Sequence, residues 1–130
     1  MTSIALLAVL LGLQIKHLLF DFFFQTKWQL QNKGTYGHPG GIVHAGFHGI
    51  GTLVVFAGAS AAVTASIFFV LVLALADFAI HYHVDWVKAQ LSRDLGPSDD
   101  APWFWVALGL DQAAHQLTYL GLAAAWLFVA

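Results

Sequence analysis

The chain has 130 residues and a formal charge of −2; 59% of its residues are hydrophobic and only 9% are charged. A soluble globular domain carries roughly 25% charged residues, so this composition belongs to the membrane class. It excludes a basic nucleic-acid binder, and with no cysteine there is no disulfide framework, thiolate zinc site or cysteine nucleophile.

A membrane-crossing helix needs about 20 mostly apolar residues, and four segments qualify as expected crossings of one domain covering residues 1–130. The first runs over approximately 3–31. Its start could pass for the apolar part of a signal peptide, but no basic residue precedes it and no small-residue cleavage site interrupts it, so it reads as a retained helix. The hydrophilic stretch Gln31 to Gly41, rich in glycine and holding Pro39, breaks it. A second, short helix is expected over 42–57, then a turn in the small residues Gly58 to Ser66, and a third helix over 62–91. After the polar stretch Ser92 to Pro102, the fourth helix covers 103–129. The expected fold is an all-α, four-helix transmembrane bundle with an up-down-up-down path.

Ionisable residues recur four apart inside these apolar segments: His17 and Asp21, His44 and His48, Asp77 with His81 and Asp85, and Asp111 with His115. Residues at i and i+4 share one helix face. The up-down-up-down path brings all four sets to one side of the membrane. Counting from Trp28, Trp86 and Trp103 puts His17, His48, Asp77 and Asp111 at similar depth, with Asp21, His44 and His81 shallower, His115 deeper and Asp85 near the mouth. Each Asp or Lys near the centre of a crossing costs roughly 2.5–3.5 kcal/mol, so such a cluster needs a compensating partner.

A divalent metal is the expected partner. Imidazole and carboxylate suit zinc first, and manganese or iron accept the same mixture; facing helices of a bundle build such sites from inward side chains. The candidate ligands are His17, Asp21, His44, His48, Asp77, His81, Asp111 and His115. They exceed the needs of one tetrahedral ion, so either two ions lie close together or some residues orient a ligand imidazole. Helix packing alone, haem ligation or a proton relay would use some of the same residues. Lys16 is expected to pair with a carboxylate such as Asp21 or Asp111, or to stretch toward an interface. Gly46, Gly49 and Gly51 are expected to let helices approach closely.

Lys27, Lys33, Lys88 and Arg93 all flank the crowded side, which the positive-inside rule places toward the cytoplasm, with both termini outside. The lipid bilayer is therefore a partner, and a lipid substrate, membrane-protein partners or a homo-oligomer are compatible with the chain.

The combination His17-Leu-Leu-Phe-Asp21, His44-Ala-Gly-Phe-His48, Asp77-Phe-Ala-Ile-His81 running on to Asp85-Trp86-Val-Lys88, and Leu110-Asp111-Gln112-Ala-Ala-His115 resembles an uncharacterised bacterial family of small integral membrane proteins, a domain of unknown function. The resemblance covers nearly the whole chain and implies a bacterial inner membrane location without an activity. More loosely, the residue types are similar to those of membrane-bound metal-dependent hydrolases. The expected function is thus metal-dependent hydrolysis of a lipid or headgroup-bearing substrate, with Asp21 or Asp85 as general base and Lys88 steadying an anionic group. The alternative is an accessory subunit of a larger membrane complex, with the metal as a structural staple.

Overall fold

The structure, a computed structural model, describes residues 3–60, 66–94 and 102–129; the expected start of the third helix and parts of both expected turns lie outside these residues. Among the described residues there are five α-helices: α1 (Ser3–Leu18), α2 (Lys27–Asn32), α3 (Pro39–Ser60), α4 (Ile67–Asp94) and α5 (Pro102–Val129), with a π-helical turn over Leu19–Phe23 prolonging α1. Three stretches, Ser3–Phe23, Pro39–Ser60 and Ile67–Asp94, are long and apolar enough to cross a membrane. α5 is as long as α4 but falls outside that set. Its central polar residues Asp111, Gln112, His115 and Gln116 dilute its apolar character.

The first helix does not run to residue 31. After the π-turn the chain leaves helical geometry, and Thr26 starts α2 as an N-cap, its side chain accepting from Gln29 N–H while the Gln29 side chain accepts from Thr26 N–H. This reciprocal capping box satisfies two otherwise orphaned donors and makes a new helix start cheaper than continuation. The second long helix is not short, because it begins at Pro39 rather than residue 42. Proline suits the first helical position, where its missing N–H is not needed. Gly41 in that first turn is required by proximity: a Cβ there would meet Lys33 Cα at 3.2 Å.

The long helices close a ring in which α1 packs on α3, α3 on α4, α4 on α5 and α5 back on α1. Neighbours run antiparallel. Lys16 reaches Gly51 as Gly12 reaches Val55, Thr52 bonds Asp77 as His44 meets His81, and Gln14 bonds Gln116 as His17 meets Gln112. The bundle divides along its length into two chemistries. One end holds an apolar core of Val9, Leu13, Phe56, Val70, Leu73, Leu122, Ala123 and Trp126. The other, beside α2 and the Gly34–His38 connection, buries almost all the histidines and aspartates of the four sets. Glycine helps at one close crossing: a Cβ on Gly49 would lie 3.1 Å from the Ala74 carbonyl oxygen, whereas Gly46 faces open space.

Candidate metal centre

Each i,i+4 set projects inward from its helix, and the polar half of the bundle becomes a buried cluster of imidazoles and carboxylates. His44, His48, His81 and His115 are at most 1% exposed, and His17 and Asp85 at most 4%. Asp21 sits at the middle of the π-turn of α1, a backbone distortion that occurs frequently at functional sites. Its Oδ1 lies 3.0 Å from His44 Nε2, 3.1 Å from His48 Nε2 and 3.6 Å from His81 Nε2, while its Oδ2 lies 3.0 Å from His17 Nδ1. One carboxylate thus touches imidazoles from three helices. Asp85 Oδ2 approaches His44 Nε2 at 3.1 Å and His81 Nε2 at 3.5 Å.

These separations are not those of a satisfied hydrogen-bond network. His44 Nε2 has Asp21 Oδ1, Asp85 Oδ2 and His81 Nε2 at 3.0, 3.1 and 3.2 Å, and one ring proton cannot serve three neighbours. Asp21 Oδ1, His48 Nε2 and Asp85 Oδ2 are buried with polar neighbours at 3.0–3.1 Å but no aligned hydrogen bond, and His115 Nε2 is buried with no hydrogen-bond partner among the described residues. Buried polar atoms left so are rare and demand an explanation. Four ligands at 2.0–2.1 Å around one tetrahedral ion stand about 3.3–3.4 Å apart, which is the scale observed. The charge pairing agrees. Lys16 meets Asp77, Lys33 meets Asp85 and Lys88 shares a cavity wall with Asp111, whereas the ion-pair neighbours of Asp21 among the described residues are all imidazoles.

Donor atoms gather within 4.8 Å of one another in three groups that could hold an ion: Asp21, His44, His48 and His81; His17, Asp21 and His115; and His81, Asp85 and His115. Asp77 and Asp111, both expected as ligands, fall outside these groups. Asp77 Oδ2 instead pairs with Lys16 Nζ and accepts from Thr52 Oγ1 at 2.6 Å, and Lys16 also donates to the His48 carbonyl at 3.2 Å. The lysine expected to meet Asp21 or Asp111 therefore neutralises Asp77. Asp111 accepts from Gln112 Nε2 at 3.2 Å and holds Oδ1 3.7 Å from His115 Nδ1. The expected depth order shifts accordingly: Asp77 lies with Lys16 and Thr52, while Asp85, expected at the mouth, stands within the donor cluster.

Lys33, read from sequence only as a flanking cation, is buried and lies 3.2 Å from Asp85. Gln112 and Tyr119 join the site as well: Gln112 Oε1 lies 3.0 Å from His17 Nε2 and the Tyr119 hydroxyl 3.0 Å from His17 Nδ1. Gln25, on the face of His17 and Asp21, places its amide nitrogen 3.1 Å from His44 Nε2. The available signal was position: Gln112 adjoins Asp111, and Tyr119 follows His115 at i+4. Between α4 and α5 lies an apolar cavity of about 320 Å³ whose lining includes Lys88 and Asp111. Lys88 also lines a basic cavity of about 460 Å³ with Lys33 and Arg93.

A family model described as a protein of unknown function, DUF3307, matches residues 7–129, almost the entire chain. The chain belongs to the DUF3307 family. No curated protein and no solved structure matches it. The DUF3307 description carries no activity, so the chemistry of this member rests on its side chains.

Proposed function

We propose that this chain is a four-crossing membrane protein that holds a divalent metal in its polar half and hydrolyses a lipid-type substrate bearing an anionic headgroup. The observation that carries the reading is the set of buried imidazole nitrogens from α3 and α4 lying 3.0–3.6 Å from Oδ1 of Asp21 in the π-turn that prolongs α1. His44, His48, His81 and Asp21 would hold the ion, with zinc the best fit and manganese or iron compatible. When bound, such an ion supplies Lewis acidity and lowers the pKa of a coordinated water toward about 7.

α5 is the proposed fourth crossing. At about 1.5 Å per residue it reaches ~42 Å, and Leu110, Leu117 and Phe128 stand exposed on it at 61%, 67% and 91%. Such an apolar exterior fits hydrocarbon rather than water. The other long helices match it with Leu7, Val54 and Phe68. The excess of Lys and Arg beside the cluster supports a cytoplasmic position for it, with both termini outside, in a bacterial inner membrane.

Substrate class follows from the two cavities that share Lys88. The apolar one between α4 and α5 suits an acyl chain, and the basic one suits an anionic headgroup. Among the described residues Lys88 makes no hydrogen bond or ion pair, whereas Lys33 is engaged with Asp85 and Arg93 with the Gly34 carbonyl. Lys88, which lines both cavities, is thus the proposed headgroup cation. Of the carboxylates, Asp21 or Asp85 is the proposed general base, Asp85 standing beside the donor group with Lys33 as its partner. Protein purified in detergent without chelators should carry at least one equivalent of metal and hydrolyse members of a panel of lipid phosphates and esters. His48→Ala should lose metal and turnover together. Lys88→Ala should raise KM about tenfold for anionic headgroups alone, the loss of one hydrogen bond to a charged group. Less than one equivalent of metal per chain overturns the reading.

A further inference from the structure

We propose that Asp21 bridges two divalent ions: one enclosed with His44, His48 and His81, and a second held with His17 and His115 that keeps an open coordination position for an anionic ligand. This rests on the metal-binding reading above and deepens it. The first group offers four donors, the number of a closed tetrahedral site, and the other two offer three each, the number that leaves a position for water or substrate. The group sharing Asp21 with the first can be filled alongside it, because the two carboxylate oxygens face different partners: Oδ1 faces His44 and His48, and Oδ2 faces His17. The group sharing His81 cannot, because a neutral imidazole has only one lone pair. Asp85 in that third group is also held by Lys33 at 3.2 Å.

The hydrogen bonds behind the second group fix its tautomers. His115 Nδ1 lies 2.9 Å from the Asp111 backbone carbonyl, which only accepts, so Nδ1 carries the proton and the buried, unpartnered Nε2 carries the lone pair. Gln112 Nε2 donates to Asp111 Oδ2, which turns Gln112 Oε1 toward His17 Nε2 at 3.0 Å. His17 Nε2 is then the donor, and its Nδ1 lone pair faces both Asp21 Oδ2 and the Tyr119 hydroxyl at 3.0 Å. Nδ1 and Oδ2 repel at that distance unless a cation joins them, and an ion bound there displaces the Tyr119 hydroxyl from that lone pair. Ligand histidines characteristically donate their second nitrogen to a carbonyl in this way. Two ions bring four positive charges to a centre in which Asp21 is the shared carboxylate and Asp77 and Asp85 already have lysine partners, so the loaded centre attracts an anion, and phosphate is the probe of choice.

Wild-type protein reconstituted with Mn²⁺ should bind two equivalents and show an exchange-coupled electron paramagnetic resonance spectrum that inorganic phosphate perturbs. His115→Ala should bind one equivalent with an uncoupled spectrum. Should that variant not fold, the wild-type spectrum decides alone, and His17→Ala repeats the stoichiometry test. One equivalent in wild type, two without coupling, a coupled spectrum indifferent to phosphate, or two retained in His115→Ala would each overturn the proposal. A single equivalent accompanied by hydrolysis defeats only the second site, whereas two coupled ions without turnover on the lipid panel defeat only the reaction.

Discussion

Replacing Lys16 tests whether Asp77 is a structural partner or a metal ligand. Lys16 is 5% exposed and Asp77 0%, and they pair directly, with Thr52 Oγ1 donating to the same carboxylate oxygen at 2.6 Å. Lys16→Met leaves Asp77 as a buried charge with only a neutral donor, and breaking a buried pair on one side costs about 3–5 kcal/mol. Lys16→Met with Asp77→Asn removes both charges and keeps an acceptor for Thr52. Replacing both members of a buried pair is often neutral or stabilising, so the double variant should return to within about 1 kcal/mol of wild type. Unfolding by SDS titration in mixed micelles gives the stabilities, and mass spectrometry gives the metal content of the same samples. The expected result is a coupling of several kcal/mol with metal unchanged in the double variant. Loss of metal from the double variant, or additive destabilisation by the two substitutions, would refute the assignment of Asp77 to Lys16.

Gly49→Ala should destabilise the bundle by about 1–3 kcal/mol, the cost of overpacking, because its Cβ meets the Ala74 carbonyl oxygen and Phe78 Cβ, both at 3.1 Å; Gly46→Ala, facing open space, should stay within about 0.5 kcal/mol in the same titration. Since the chain has no cysteine, a membrane-impermeant thiol reagent applied to whole cells should label Ser3→Cys and spare Thr35→Cys, and the reverse pattern would invert the proposed orientation. Chelation should lower the unfolding free energy by about 4 kcal/mol relative to protein held at a free metal concentration ~1,000 times Kd, recovered on adding metal back. An apo form as stable as the loaded one in that assay would contradict a metal held by the cluster.

The fold was largely legible because the i,i+4 spacing of costly residues announces both a helix and its inward face. His44 and His48 had to meet His81 once adjacent helices ran antiparallel. What spacing cannot encode is the local backbone. The π-turn over Leu19–Phe23 consists of Leu, Phe and Asp with no glycine or proline to mark it, yet it carries Asp21, whose carboxylate reaches four imidazoles. The restart at Thr26 was written plainly as Thr-x-x-Gln, but in a segment apolar enough to be read as continuous helix.

The second illegible element is which carboxylates are already neutralised. In sequence Asp77 and Asp85 are equivalent, each four residues from His81. Their environments separate only because Lys16 projects from α1 toward Asp77 while Lys33 reaches Asp85 from just beyond α2. A flexible lysine can compensate a buried carboxylate from more than one turn away, so its partner is fixed by packing and not by spacing. Imidazole has no such latitude: it is short, planar and four residues from its neighbour, and its lone pair points where the helix points it. The histidine positions therefore carried the clearer signal, and Asp77 and Asp85 were told apart by which lysine reached them.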